Sequence, residues 1–161
     1  MPSKELTALL EAQIGHELSA HNHYLGIAAY FAFAGRSLDG WGAFFFHQAE
    51  EEREHALKVL RFLLDAGVTP RIPEAREGRS SFADPKAAVK SALEAEEGVT
   101  RQFEAMIEVA LKNKDFRALP LIQWFLDEQV EEEATMKKLL DLLSTKTAPI
   151  LLEPYLPTHE D

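Results

Sequence analysis

Glu52 and His55 stand three residues apart in a stretch with helical periodicity, and both fall on its apolar stripe. Alternating steps of four and three from Trp41 give Phe45, Gln48, Glu52, His55, Val59, Phe62 and Ala66. A carboxylate and an imidazole in the middle of a buried stripe are costly unless a counter-charge compensates them, and a cation is the usual compensation. Three other stretches repeat the pattern. One reads Leu6, Leu10, Gln13, Glu17, Ala20, Tyr24, Ala28 and Phe31; another reads Val89, Leu93, Glu96, Thr100, Phe103, Ile107 and Ala110. The last reads Leu121, Phe125, Gln129, Glu132, Met136, Leu139 and Leu143. Each stripe is apolar at both ends and carries an acid near its middle.

Depth matters as much as phase. Glu17, Glu52, Glu96 and Glu132 lie about 12 to 17 residues into their helices, roughly 18 to 26 Å at about 1.5 Å per residue. In antiparallel hairpins of similar length such positions meet at one level, which predicts a cluster of Glu17, Glu52, His55, Glu96, Gln129 and Glu132. Any one of these acids alone would ordinarily face solvent. Four stripes with an acid at matching depth argue instead for a metal site. The chain has no cysteine, so its metal ligands must be carboxylates and imidazoles. Iron or manganese suits that donor set, with zinc a competitor. Two ions sharing a carboxylate would stand about 3.5 to 4 Å apart, and Glu52, beside His55, is the candidate bridge.

These stripes require an all-α fold. The first helix spans about Lys4 to Ala34 and is expected to stop at Gly35 as a C-cap; the second starts near Asp39, read as its N-cap, and fades at Gly67. The third opens with Asp84 as N-cap and Pro85 at the first helical position, and runs to about Lys112. The fourth runs from about Asp115 to Ser144 with Pro120 in its first turns. Short links make each successive pair an antiparallel hairpin, while the connection of roughly 16 residues after Gly67 is long enough to travel the length of the bundle. Two hairpins joined by one long crossover form a ferritin-like four-helix bundle, one domain over 1–161 with the bundle at about 4–144. The tail, about 145–161, is apolar but proline-interrupted; it holds a short turn of helix at most and is expected to need cover, as from a neighbouring subunit.

Composition narrows the partners. A formal net charge of −10 disfavours nucleic acid and anionic membranes and suits attraction of cations. Hydrophobic residues make up 46% of the chain, which places it among folded globular proteins. No secretory segment opens the sequence, and its most apolar run, Gly26 to Gly35, is too short to span a bilayer. A cytoplasmic protein is expected.

At these residues the chain resembles a non-haem ferritin of the bacterial and archaeal type. The resemblance runs from about Leu6 to Leu143: Glu17-x6-Tyr24, then Ala49-Glu50-Glu51-Glu52-Arg53-Glu54-His55-Ala56, then Glu96, then Gln123-Trp124-Phe125-Leu126-Asp127-Glu128-Gln129-Val130-Glu131-Glu132-Glu133. It implies a di-iron ferroxidase centre with two irons per subunit. Glu17, Glu52 and His55 match the ligands of the first iron, and Glu52, Glu96 and Glu132 those of the second. Gln129 matches the family glutamine beside the site, and Tyr24 the family tyrosine near the irons. Glu51, Glu128 and Glu131, with Glu132, match a third iron site, against which stands the reading of a solvated acidic face. The resemblance further implies ferrous iron and O2 or H2O2 as reactants, and a homo-oligomeric, 24-subunit shell that stores ferric mineral.

Two differences separate the chain from relatives in the same superfamily. Its fourth helix carries Gln129-x-x-Glu132 rather than a second Glu-x-x-His, and Arg53 stands where haem-binding relatives place a methionine, so no haem is expected. The tail matches the family's fifth helix only loosely, because of Pro154 and Pro157. His16, His21, His23 and His47 fix no ligand set and are read as structural or surface residues. The alternatives are a non-storing di-iron or di-manganese carboxylate oxidase of the same fold, and a catalytically silent helical subunit.

Overall fold

A computed structural model describes residues 1–158. Residues 159–161, the end of the expected tail and domain span, lie outside the described part. The described residues form four long helices: α1 Lys4–Ala32, α2 Asp39–Asp65, α3 Pro85–Asn113 and α4 Leu119–Leu143, followed by a single turn, α5, Pro149–Leu152. A 3-10 turn at Phe116–Ala118 leads into α4, and another at Glu153–Tyr155 follows α5. Helices α1 and α2 pack as one hairpin and α3 and α4 as the other, with α1 also lying against α3. Among the described residues, no helix is long and apolar enough to cross a membrane.

The helix ends follow local chemistry in most places. The Ser3 hydroxyl accepts from the Leu6 amide at 3.2 Å and donates to Asp115 at 2.6 Å, so one side chain caps α1 and ties it to the α3–α4 turn. Asp84 accepts from the Ala87 amide at 2.7 Å, with Pro85 next, as the sequence predicts. At the end of α2, Gly67 takes φ +78 while its amide bonds to Leu64 and the Val68 amide to Leu63, a Schellman ending that glycine makes inexpensive. Pro120 lies in the first turn of α4, where no intrahelical donor is lost.

Two expected caps are corrected. Helix α1 ends at Ala32, and the left-handed residue of the following turn is Ser37 (φ 54) rather than Gly35. Asp39 is the first residue of α2 rather than its cap; Leu38 precedes it and makes no side-chain cap bond. The cap arrives from far along the chain. The amides of Gly40 and Trp41 donate to Glu153 Oε1 at 2.8 and 3.4 Å, and the Trp41 indole donates to the Pro149 carbonyl at 2.9 Å. The tail therefore returns to its own bundle. Leu152 is buried there, while Ile150, Leu151 and Tyr155 stay exposed. Replacing Glu153 with alanine should cost about 1–2 kcal/mol of stability. Denaturant unfolding should read that loss, and amide exchange should quicken at Gly40 and Trp41.

The crossover, residues 66–84, climbs α1 in the direction of that helix. The Arg71 amide donates to Glu11 at 3.0 Å, and Pro73 covers Gly15. The Arg76 amide donates to the Ser19 hydroxyl at 3.0 Å, the Asn22 amide to the Arg76 carbonyl at 2.8 Å, and Arg79 rests its carbonyl on Gly26. The bundle interior is divided lengthwise. One apolar cluster gathers Tyr24, Phe31, Trp41, Phe45, Val89 and Met136; the other gathers Leu10, Ile14, Val59, Leu63, Phe103 and Phe125. Between them lies a layer of buried polar side chains.

Candidate metal centre

The polar layer is built from one or more residues of every long helix. Glu17 and Gln13 come from α1, Gln48, Glu52 and His55 from α2, Glu96 from α3, and Gln129 and Glu132 from α4; all are buried. His55 Nδ1 lies 3.6 Å from Glu52 Oε2 and 3.9 Å from Glu17 Oε2. These separations are too long for hydrogen bonds. They are near the roughly 3.0 to 3.5 Å between neighbouring ligand atoms around an ion bonded at about 2.1 Å. Three sets of donor atoms converge within 4.8 Å: Glu17, Glu52 and His55; Glu52, Glu96 and Glu132; and His55, Glu128 and Glu132. Glu52 joins the first two.

Amide and hydroxyl donors hold the outer three carboxylates, whereas one oxygen of the shared Glu52 has no partner. Gln13 Nε2 donates to Glu17 Oε1 at 2.7 Å, and Gln48 Nε2 to Glu132 Oε2 at 2.8 Å. Gln129 Nε2 donates to Glu96 Oε2 at 3.0 Å and to its backbone carbonyl at 3.1 Å, and the Tyr24 hydroxyl donates to Glu96 Oε1. Glu52 Oε1 and Glu17 Oε2 are buried with no partner. Buried carboxylate oxygens without donors are unfavourable, and a divalent cation between them removes the penalty. The donor set fits such an ion.

Electrostatics agree with the geometry. Burial, then the charges of Glu96, Glu17 and Glu132, push Glu52 well above the usual carboxylate range. Burial and the Glu96 charge also raise Glu132, against a lowering bond from Gln48. Burial lifts Glu96 to about 7, although the Tyr24 and Gln129 bonds oppose it. Burial lowers His55, so near neutral pH its imidazole is uncharged and has a lone pair to offer. Trp124 and Phe125 stand edge-on to the His55 ring at 5.6 and 5.4 Å, and the Lys58 ammonium sits 3.9 Å over Trp124, so the ring is packed in place.

Folding without metal thus retains protons that unfolding would release above the ordinary glutamate value. Raised carboxylates favour the metal-free fold at low pH, and that advantage disappears as pH climbs from about 4.5 through the Glu96 value of about 7. Ion binding must displace the same protons. Anaerobic cobalt(II) titration at pH 6 should release protons, read by pH-stat, and fewer at pH 8, above the Glu96 value of about 7. Release that stays flat with pH would contradict these assignments.

The other expected residues divide. Tyr24 is fully buried, bonded to Glu96 and stacked on Phe45 at 5.9 Å. Glu51, Glu128, Glu131 and Glu132 line one opening of about 330 Å3 on the α2–α4 side, shared with Pro157 and Thr158 of the tail. Ligand atoms of Glu128, His55 and Glu132 lie within 4.8 Å of one another, with His55 and Glu128 on a neighbouring opening, whereas Glu131 is exposed. His21 Nδ1 contacts the Ala49 carbonyl at 2.6 Å and His23 Nε2 the Ser91 hydroxyl at 3.2 Å. His47 lies 3.6 Å from Glu51, and Arg53 pairs with Glu50 and Glu54 on the surface. Sequence reasoning placed Gln13 and Gln48 on the buried stripes but missed them as donors to the acids. Their phase was the available signal, since an amide on a seam beside carboxylates has few other partners.

Comparison with known proteins gives a consistent picture. The "Ferritin-like domain" family matches residues 7–145. The bacterial non-heme ferritin of Staphylococcus haemolyticus is 36% identical over 144 residues, covering 89% of this chain and 86% of the relative. That of Staphylococcus epidermidis is 35% identical over the same shares. Among solved structures, an open pore ferritin from Archaeoglobus fulgidus superposes with a TM-score of 0.90 at 30% identity, covering 98% of each chain. A humanized archaeal ferritin gives 0.92 at 28% identity, covering each chain fully.

Proposed function

Because this chain belongs to the ferritin-like family, we propose that it is an iron-storage ferritin with ferroxidase activity, acting on two ferrous ions in the polar layer. The observation that carries the reading is the shared position of Glu52 in two adjoining donor sets whose unpartnered oxygens are buried. Glu17, His55 and Glu52 hold one iron; Glu52, Glu96 and Glu132 hold the other. Each iron gives up one electron. Together two electrons and two protons convert O2 to hydrogen peroxide, or hydrogen peroxide to two waters.

The chain's own groups prepare that reaction. Gln13, Gln48 and Gln129 fix three terminal carboxylates so that ions entering the layer meet oriented oxygens rather than mobile ones. Tyr24 keeps its proton, since burial and the neighbouring acids push its hydroxyl far above its ordinary value, and it donates to Glu96. The acidic opening at Glu51, Glu128 and Glu131 draws cations toward the layer and serves as the third iron site or as the way out for ferric product. Storage requires a hollow homo-oligomeric shell, which we place at 24 subunits, in the cytoplasm, with O2 or H2O2 as oxidant and no haem.

Two measurements on the purified protein test this. Size-exclusion mass should be some twenty times that of the monomer, and the shell should take up ferrous iron and hold it as ferric mineral against a chelator. A dimer that oxidises iron without retaining it would instead identify a non-storing carboxylate oxidase; a shell that oxidises none would be a silent structural subunit.

A further inference from the structure

The α1–α3 side of the polar layer differs from the acidic α2–α4 side. A groove of about 450 Å3 runs between α1 and α3, walled by Leu9, Ala12, Ala105 and Met106. Its polar members are Gln13, Gln102, His16 and Arg101, and among the described residues that line it there is no carboxylate. This lining offers a ferrous ion no carboxylate and sets the Arg101 guanidinium in its way; the acids Glu77 and Glu94 line the adjoining groove. For a small uncharged molecule the charge of the lining is no obstacle.

Gly98 opens this groove. A glycine inside a helix destabilises it relative to alanine, so its place usually has a packing reason. Gly15, Gly26 and Gly42 have one, because a Cβ would press on Pro73, the Arg79 backbone or Ala32. At Gly98 a Cβ would meet only an Arg101 nitrogen at 3.8 Å, ordinary contact with a mobile side chain. Gly98 lies on the wall of this groove and of a second one beside it that also holds His16 and Gln102. What the glycine preserves is open space.

One residue of the groove's lining, Gln13, touches the candidate metal ligands directly. It is fully buried and gives its Nε2 to Glu17. With its Nε2 donating to Glu17, the Gln13 amide leaves its Oε1 without a donor. Gln102 Oε1, also on the groove, is likewise buried and without a donor. Two unpartnered acceptors suit a small neutral molecule with O–H donors at both ends.

Building on the ferroxidase reading, we propose that the α1–α3 groove is the inlet for the uncharged oxidant, carrying hydrogen peroxide to Glu17 while ferrous iron enters from the acidic side. Separate inlets keep peroxide away from iron until both reach the enclosed layer.

The test loads the assembled protein anaerobically with ferrous iron and then mixes it with hydrogen peroxide or, in a second arm, with O2. Gly98→Leu fills the groove from α3, Ala12→Leu fills it from α1, and Gly98→Ala leaves it open. The two leucine variants should lower the second-order rate constant for peroxide by roughly tenfold, with cobalt(II) affinity unchanged and Gly98→Ala matching wild type. The inlet assignment is overturned if Gly98→Leu and Ala12→Leu react with peroxide like wild type, if their loss tracks weakened cobalt binding, or if only the O2 arm slows. An inactive wild type would instead bring down the ferroxidase reading itself, and the inlet with it.

Discussion

Glu52→Gln should all but abolish ferrous iron oxidation and, in the same protein, raise the stability of the metal-free fold. Loss of a group that merely orients a ligand costs about 10–100-fold. Removing a ligand common to both donor sets should therefore cost more than roughly 100-fold. The opposite effect on stability follows from charge. Glu52 is buried among Glu17, Glu96 and Glu132, and burial is the first reason its carboxyl is held protonated far above the usual range. Such a group opposes folding wherever the unfolded chain would ionise it, that is, as pH rises above about 4.5. Glutamine keeps the volume, carries no charge, and brings an amide donor to a layer where Glu17 Oε2 has none. Thermal melts of metal-free wild type and Glu52→Gln should nearly coincide at pH 4 and separate increasingly toward pH 8, with the variant higher. A variant less stable at pH 8 would mean that Glu52 serves the fold rather than a cation.

Gly26→Val should destabilise the bundle by on the order of 2–3 kcal/mol without touching a ligand. The Cβ position of Gly26 runs into the backbone of Arg79, which cannot yield as a flexible side chain can. The crossover would lift from α1, and its bonds from Arg76 to Ser19 and from Asn22 to Arg76 would go with it. Gly78 faces the same restriction against the Asn22 carbonyl, so two glycines on facing strands of chain set the approach. Urea unfolding should show the loss, while cobalt binding to the still-folded protein should remain as in wild type, since Gly26 lies away from the polar layer. Unchanged unfolding would mean that the crossover floats free of α1.

What could be read from the sequence was set by helical geometry. A heptad-like stripe fixes which side of a helix is buried, and residue depth fixes the level, so Glu17, Glu52, His55, Glu96, Gln129 and Glu132 could be placed together without coordinates. Local caps such as Asp84 were equally legible, because donor and acceptor sit three residues apart. The misses involve partners distant in the chain. Asp39 looks like an N-cap, yet Glu153 performs that function from 113 residues away, and no local pattern announces it. Gln48 lies four residues before Glu52, but its amide crosses to Glu132 on another helix. Gly35 was the obvious helix stop; the turn into α2 instead places its left-handed residue at Ser37. The return of the tail, with Leu152 buried and Trp41 bonded to Pro149, depends on the same long-range packing.

The central claim is that Glu52 joins two ions between the apolar halves of the bundle. Crystals soaked anaerobically with ferrous iron and measured at the iron absorption edge test it directly. Two anomalous peaks about 3.5–4 Å apart, with a Glu52 oxygen bound to each, His55 and Glu17 on one and Glu96 and Glu132 on the other, are the predicted result. A single peak outside the polar layer, or none with the four carboxylates bonded to one another through protons, would contradict it.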